Sequence, residues 1–352
     1  MDIESKLKLI KSQPTEEIVT EEELKTILET KSKPVHYWGL EISGMPHIGH
    51  ILCAGKKVND LAKAGFQTNI LLADWHTIAN QKLGGDWERI KKAGEFYKQL
   101  FAIACPDAKV TFGSELYHNN DEYWKEVMKI ATKTTIARAT RTLIIQGRSE
   151  KDTLYVSQYI YPIMQVADIK AFGADVAHAG MDQRKVHMLA REIFKELDNK
   201  WSPTFLHTHL IQSLLEPITV NQNAEKEEIV TAMKMSKSKP GSSIPILANE
   251  SEIRSIISKG WCPEGIIEEN PILGLCKYII MPTLNEIKIE RPAKYGGDVS
   301  YTSYISLEND FHSKKLHPVD LKNAVSSDLI KIMEPITRAF SKRREEIESL
   351  FK

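Results

Sequence analysis

The sequence predicts an α/β fold: a Rossmann-like, doubly wound parallel sheet with a helical insertion, followed by a mainly helical C-terminal domain. Three observations carry that expectation. Short β-branched and aromatic runs alternate with helix-patterned stretches from residue 34 to about residue 211, as in a parallel sheet joined by crossovers. A Pro/Gly/Ser stretch, KPGSSIPI, then marks a change to mainly helical patterning. The chain also has 352 residues, more than one core usually serves. The expected parts are a helical segment over residues 1–33, a Rossmann-type domain over 34–243 with an insertion at about 117–158, and a helical domain over 244–352.

The first thirty residues read as two short helices, the second opened by a capping box at Thr20 to Glu23. PVHYWGLEI (34–42) reads as a strand. Gly44 turns the chain, Pro46 suits a first helical position, and HIGHILCAGKKVNDLAKAG (47–65) continues as an amphipathic helix. TNILLADWH (68–76) is the apolar run of a strand buried on both faces. A helix over 86–104, a strand at KVTFGSEL (109–116) and helical segments over 121–146 follow. The helix VSQYIYPIMQVADIKAFG, the strand DVAHAG, the helix QRKVHMLAREIFKEL and the strand PTFLHTHLI complete the alternation. A long helical run from Pro318 to Phe351 closes the chain.

Composition narrows the function classes. Hydrophobic content of 42% and charged content of 27% are ordinary for a folded, water-soluble protein. No apolar run reaches bilayer length, and the N-terminus has no apolar core of a leader peptide, so a cytoplasmic protein without membrane contact is expected. Cys53, Cys105, Cys262 and Cys276 form no CxxC pair, against a zinc site or a disulfide framework. Lys+Arg and Asp+Glu are both 47, so nucleic-acid contact has to come from local patches. One such patch lies between Glu126 and Glu150, where Lys129, Lys133, Arg138, Arg141 and Arg148 occur with no acid among them. A solvated helix face explains it equally well.

Two motifs point to a polyanion. GMPHIGH (44–50) sits where a strand hands over to a helix. Unpaired N–H groups there attract phosphate, His47 and His50 can donate to its oxygens, and Gly49 would let a purine lie against the backbone. Far downstream, KMSKS (234–238) is a basic loop able to close over a triphosphate and neutralise a leaving pyrophosphate. Either motif alone has a plain alternative, surface histidines or a lysine-rich loop. Tyr161, Gln165 and Asp168 share one helix face, where burying a phenol, an amide and a carboxylate demands partners. Neighbours, water or a ligand could be those partners.

The paired motifs resemble the class I aminoacyl-tRNA synthetases. The run YIYPIMQVADIKAFGADVAHAGMDQRKVHMLAREI (159–193), with HYWGLEISG and KLHPVDLKNAV, resembles the archaeal and eukaryotic type of tyrosyl-tRNA synthetase over nearly the whole chain. That resemblance implies tyrosine activation by ATP and transfer of the tyrosyl group to the 3′ end of tRNA(Tyr). It implies charge stabilisation by His47, His50, Lys234 and Lys237, with Gly49, Gly180, Asp182, Met235, Ser236 and Ser238 holding ATP. Tyr37 and Asp168 would bind the substrate's phenolic hydroxyl, and Tyr161, Gln165 and Gln183 its amino group. Glu41 would sit near that end, with His76 and Tyr117 as walls. Tyr295, His317 and Asp320 would read the first anticodon base, and Arg141, Arg184 and Lys185 would meet the acceptor end. The resemblance further implies ATP as a substrate with Mg2+ on its phosphates, no protein-bound metal, and a homodimer formed through the insertion.

Three rivals remain. A tryptophanyl enzyme of the same class would leave Asp168 and Tyr37 without a hydroxyl. A silent RNA-binding paralogue has no use for both phosphate motifs. A nucleotidylyltransferase would not need the long C-terminal domain.

Overall fold

The structure is a computed structural model of the chain, and it describes residues 1–148, 152–197, 201–217, 234–235 and 241–352. It divides into two compact units. The first comprises residues 1–44, 54–208 and 346–352, and the second residues 45–53 and 209–345. The division therefore falls after Thr208 rather than at residue 243, and the expected Rossmann-type segment contributes to both units.

The first unit is built on a six-stranded sheet of order β1-β6-β5-β2-β3-β4, formed by β1 (Thr15–Val19), β2 (Val35–Leu40), β3 (Gln67–Leu72), β4 (Lys109–Phe112), β5 (Val176–Gly180) and β6 (Thr204–Thr208). β2 to β6 run parallel, and β1 joins β6 antiparallel. β1 was not expected. The segment read as two helices is α1 (Ile3–Lys11), then β1, then α2 (Glu21–Thr30). Its residues, TEEIV, are mostly polar and, past buried Thr15, partly exposed at the end of the sheet, so they lack the apolar signature of an inner strand. The capping box on α2 is present: Thr20 Oγ1 accepts from Glu23 N at 3.2 Å and Glu23 Oε2 from Thr20 N at 2.9 Å.

Side chains alternate across the strands and feed two cores. On one face Val176 and Leu206 join Ile10, Leu24, Leu28, Leu61 and Phe66, so α1, α2 and α3 (Gly55–Lys63) cover that side. On the other, Tyr37, Ala177 and Phe205 meet α7 (Asp121–Lys133), α9 (Val156–Ala171) and α10 (Arg184–Leu197). Lys57 is fully buried on the first side. Its ammonium donates to the carbonyls of Leu9, Ile10 and Ser12 at 3.2, 3.1 and 2.9 Å and pairs with Asp60 at 3.0 Å. A buried charge needs that many partners, and here it takes them from the carbonyls at the end of α1.

The strand order reverses between β2 and β5, where a doubly wound sheet opens a crevice beyond its carboxyl ends. Short helices follow those ends: α4 (Asp74–Ala79) after β3, and α6 (Gly113–Tyr117) after β4. α5 (Trp87–Ala104) and α8 (Ile136–Arg141) complete the unit together with the C-terminal residues.

In the second unit, Pro46 and His47 stand outside the helix, which begins at Ile48. Ile48 N donates to Ile244 O at 3.1 Å and Ile246 N to Pro46 O at 2.9 Å, an antiparallel bridge centred on His47 and Pro245. The chain is then π-helical over Gly49–Ala54 before α3 begins. The helix expected over 47–65 is thus present from Ile48 to Lys63, but its first half is π-helical, and the bridge to residues 244–246 takes the backbone groups just before it. Helices Glu250–Lys259, Tyr304–His312 and Pro318–Phe340 follow, with a small hairpin, β7 (Ile287–Ile289) and β8 (Val299–Tyr301), that helical patterning did not predict. The last helix ends at Phe340, short of the expected Phe351, and a short helix Arg344–Ser349 follows a 3-10 turn.

Candidate active site

The crevice of the first unit gathers side chains from four strand ends. β2 supplies Tyr37 and, just past its end, Glu41, while α4 supplies His76 and α6 Tyr117. α7 adds Tyr123, α9 adds Tyr161, Gln165 and Asp168, and the turn after β5 adds Gly180, Asp182 and Gln183. Tyr37 folds back along its own strand. A Cβ on Gly39 would lie 2.3 Å from the Tyr37 hydroxyl oxygen, so that phenol has its place only because residue 39 has no side chain.

Asp168 is the centre. It is 1% exposed, and its Oδ1 accepts from Tyr117 Oη at 3.0 Å and Tyr123 Oη at 2.8 Å. Its Oδ2 is buried without a hydrogen-bond partner among the described residues, with His76 Nε2 3.5 Å away. Burial pushes Asp168 up to about 8, while the Tyr123 and Tyr117 donors pull the other way. Burial pushes His76 down to about 3, so its imidazole is neutral. That ring meets Tyr161 edge-on at 4.6 Å. The Tyr37 phenol is held well above its ordinary range by burial and then by Asp168; Tyr161 is held up by burial, then by Glu41 and Asp168. The result is a buried aromatic cluster in which one carboxyl oxygen of Asp168 has no hydrogen bond among the described residues. An apolar ligand would leave that oxygen desolvated and unpaired, whereas a hydroxyl would donate to it.

Towards the strand ends the site is amide-lined. Gln165 Nε2 donates to Gln183 Oε1 at 3.2 Å, and Gln183 Nε2 to Ile145 O at 3.1 Å. Asn80 Nδ2 donates to Glu41 Oε1 at 2.8 Å and to Gln146 O at 3.1 Å, and Asn80 Oδ1 accepts from Arg148 Nε at 3.1 Å. Asp182 sits half-buried in the 3-10 turn Met181–Gln183. The structure thus brings together Tyr37, Glu41, His76, Tyr161, Gln165, Asp168 and Gln183. Tyr117, read only as a wall, bonds Asp168 directly. Tyr123 and Asn80 were missed: each acts through a tertiary hydrogen bond that no local motif announces.

In the second unit the His47 and His50 rings lie 4.0 Å apart, and Gly49 N donates to His47 Nδ1 at 3.1 Å. A Cβ on Gly49 would come within 2.9 Å of the His47 ring. Lys234 forms a bridge with Gln212, and Met235 is buried, its N–H donating to Ile211 O at 2.8 Å. Ser236, Lys237 and Ser238 lie outside the described residues.

Of the residues expected to meet tRNA, Arg141 is exposed at the end of α8, Lys185 is half-buried, and Arg184 Nε is paired with both Glu17 oxygens at 3.1 and 2.9 Å. The basic patch is not acid-free in space: Lys129 meets Glu126 at 3.5 Å, Lys133 meets Glu196 at 3.8 Å, and Arg138 pairs with Glu192. In the second unit, Arg291 bonds Gly297 O at 2.6 Å, Asp298 Oδ1 at 3.1 Å and Lys315 O at 2.9 Å, tying the hairpin loop to the approach of helix Pro318–Phe340. Exposed His317 caps that helix through Nδ1, which accepts from Val319 N at 3.2 Å, and Asp320 stands in its first turn. Tyr295 belongs to the hairpin loop, its side chain outside the described residues.

The chain is similar to proteins already known. Residues 29–334 match the model of the tRNA synthetases class I (W and Y). The chain is 44% identical to the tyrosine–tRNA ligase of Thermococcus kodakarensis, over 99% of this chain and 98% of that one. It superposes with a TM-score of 0.92 and 40% identity on the tyrosyl-tRNA synthetase of Pyrococcus horikoshii, solved in complex with L-tyrosine, covering 99% of each chain. The enzyme of Archaeoglobus fulgidus, also complexed with L-tyrosine, gives a TM-score of 0.83 at 41% identity, over 95% of this chain and 98% of that one.

Proposed function

This chain belongs to the class I tRNA synthetases of the tryptophan and tyrosine group, and from that premise we propose that it attaches tyrosine to tRNA(Tyr). The observation that carries the choice of tyrosine is Asp168: a buried carboxyl group with an unpartnered Oδ2, among neutral phenols and a neutral imidazole. The substrate's phenol donates to Oδ2, and Tyr37 completes the reading of that hydroxyl. Indole has an N–H to donate but no hydroxyl oxygen to accept from Tyr37 in return, which disfavours tryptophan. Phenylalanine would leave Oδ2 unpaired, and a site built around a hydroxyl rejects the analogue lacking it far more strongly than an apolar pocket rejects a missing methylene.

Tyr161, Gln165 and Gln183 hold the amino group, with Glu41 near that end. The tyrosine carboxylate attacks the α-phosphorus of ATP, pyrophosphate leaves, and tyrosyl-adenylate forms. A ribose hydroxyl at the tRNA 3′ end then attacks the adenylate carbonyl and releases AMP. No side chain serves as nucleophile, so catalysis is positioning and charge stabilisation. His47, His50, Lys234 and Lys237 supply the latter, on ATP carrying Mg2+ as a substrate. Gly49, Gly180, Asp182, Met235, Ser236 and Ser238 hold the nucleotide. Tyr295, His317 and Asp320 take the first anticodon base by stacking and hydrogen bonding, and Arg141, Arg184 and Lys185 the acceptor end. Because Arg184 is already paired with Glu17, its part needs that pair to rearrange or to stay as a scaffold.

We further propose a cytoplasmic homodimer. The side chains of Met128, Ile136, Tyr155, Val156 and Ile160 are large, apolar and exposed within or beside the expected insertion, which supports pairing through that segment. No described helix is long and apolar enough to cross a membrane.

The test is amino-acid-dependent ATP–pyrophosphate exchange with tyrosine, tryptophan and phenylalanine in parallel. Exchange with tyrosine alone is expected. Exchange with tryptophan instead would overturn the roles of Asp168 and Tyr37, and exchange with none would overturn the activity.

A further inference from the structure

We propose that Tyr117 and Tyr123 are positioning residues that set amino-acid selectivity, by occupying Oδ1 of Asp168 with two phenol donors so that Oδ2 alone is presented to the substrate as a carboxylate acceptor. The assignment rests on the tyrosine specificity proposed above and deepens it.

The geometry is specific. Both hydroxyls reach the same oxygen, at 3.0 and 2.8 Å, from different helices, α6 and α7. Their rings stack on each other at 4.6 Å with an interplanar angle of 28°, so each fixes the other's approach. Tyr123 Oη is also 3.5 Å from Met164 O, and Trp124 Nε1 donates to Tyr117 O at 3.2 Å, which ties the α6–α7 pair further. The other oxygen faces only the neutral His76 ring, whose Nε2 is 3.5 Å away. Oδ2 has no partner among the described residues, and both nitrogens of His76 are likewise buried without one. A carboxylate saturated on one oxygen and open on the other cannot rotate without breaking two hydrogen bonds.

Two phenol donors also bear on the charge of Asp168. A hydrogen bond donated to a carboxylate favours its ionised form, and a protonated acid would offer the substrate hydroxyl a donor where an acceptor is wanted. The other groups around Asp168 give little help. His76 is neutral, Tyr37 and Tyr161 are neutral phenols held up in part by Asp168 itself, and Asp74 is an acid whose charge opposes ionisation. No cation faces it among the described residues. The two phenols are the groups that counter burial, so removing one leaves Asp168 protonated over a wider pH range.

The experiment compares wild type with Tyr123→Phe and Tyr117→Phe, variants that keep the stacked rings and remove one hydroxyl each. ATP–pyrophosphate exchange is measured with tyrosine and phenylalanine from about pH 6 to pH 9. In each variant the ratio of kcat/KM for tyrosine over phenylalanine is expected to fall about tenfold near pH 7, through KM for tyrosine rather than kcat. The pH at which KM for tyrosine improves is expected to move up by about one unit, so that raising the pH restores much of the loss. A merely structural role would lower thermal stability and leave both the ratio and the pH midpoint where they are in wild type. That result, in both variants, would overturn the proposal alone. Wild type failing to exchange with tyrosine at any pH would overturn the specificity beneath it as well.

Discussion

Lowering the pH should destabilise the first unit through histidines that folding keeps neutral, and His36 gives the cleanest case. It is fully buried on β2, with neither ring nitrogen partnered among the described residues, and burial pushes it down to about 3 from an ordinary 6.5. The unfolded chain takes up a proton below about pH 6.5, whereas the folded one refuses it until about pH 3. His36 therefore leaves stability intact above 6.5 and withdraws it as the pH falls through the interval between the two values. At about pH 5 the gap of roughly one and a half pH units on the unfolded side amounts to about 2 kcal/mol, at 1.36 kcal/mol per unit. Because His36 is fully buried, solvent screening does not reduce that figure much. Replacing it with leucine removes the titration and two desolvated nitrogens while keeping an apolar side chain of similar bulk. Urea unfolding, followed by tryptophan fluorescence at about pH 8 and about pH 5, gives the difference in midpoint for wild type and His36→Leu. Wild type should lose about 2 kcal/mol more than the variant on acidification. Equal losses would refute the account, since they would mean that His36 is either protonated in the fold or reached by water.

Three further outcomes are expected. Asp168→Ala should cut the preference for tyrosine over phenylalanine by about ten- to hundredfold, the worth of one buried charge-assisted hydrogen bond, as read by pyrophosphate exchange; unchanged selectivity would remove Asp168 from the pocket. Lys237→Ala should slow adenylate formation by at least about a hundredfold in single-turnover assays while tyrosine affinity, measured by calorimetry, changes little; an effect on affinity alone would contradict a phosphate role. Gly39→Ala places a Cβ where the Tyr37 hydroxyl now lies, 2.3 Å away, and should raise KM for tyrosine about tenfold. An unaltered KM would mean that the Tyr37 phenol does not touch the substrate.

How much of this could be read beforehand depended on how local each cause was. β2 to β6 were legible because their apolar runs are a property of a few consecutive residues. The shared face of Tyr161, Gln165 and Asp168 was legible for the same reason, since one helix fixes it. Tyr123 was not: its bond to Asp168 joins residues forty-five positions apart, and nothing in DEYWKEVMK distinguishes a pocket tyrosine from a core one. The start of the helix after Gly44 misled for a related reason. Pro46 looks like a helix opener in isolation, and only the bridge to residues 244–246 spends its carbonyl elsewhere. Local propensity was sound there, and an isolated bridge to a distant segment outweighed it. The basic patch likewise looked unopposed along the chain, while its acids, Glu192 and Glu196, stand on α10.

β1 bears on how the protein survives its own synthesis. Thr15 to Val19 pair along β6, whose inner residues Phe205 and Leu206 are wholly buried. Family-model similarity begins only at residue 29, so these residues are easily taken as dispensable. A chain begun at residue 34 would present β6 as a bare edge strand with its amide and carbonyl groups open to any neighbouring molecule. Such a chain should collect in inclusion bodies, for want of the five residues that keep one copy from adding to the sheet of the next.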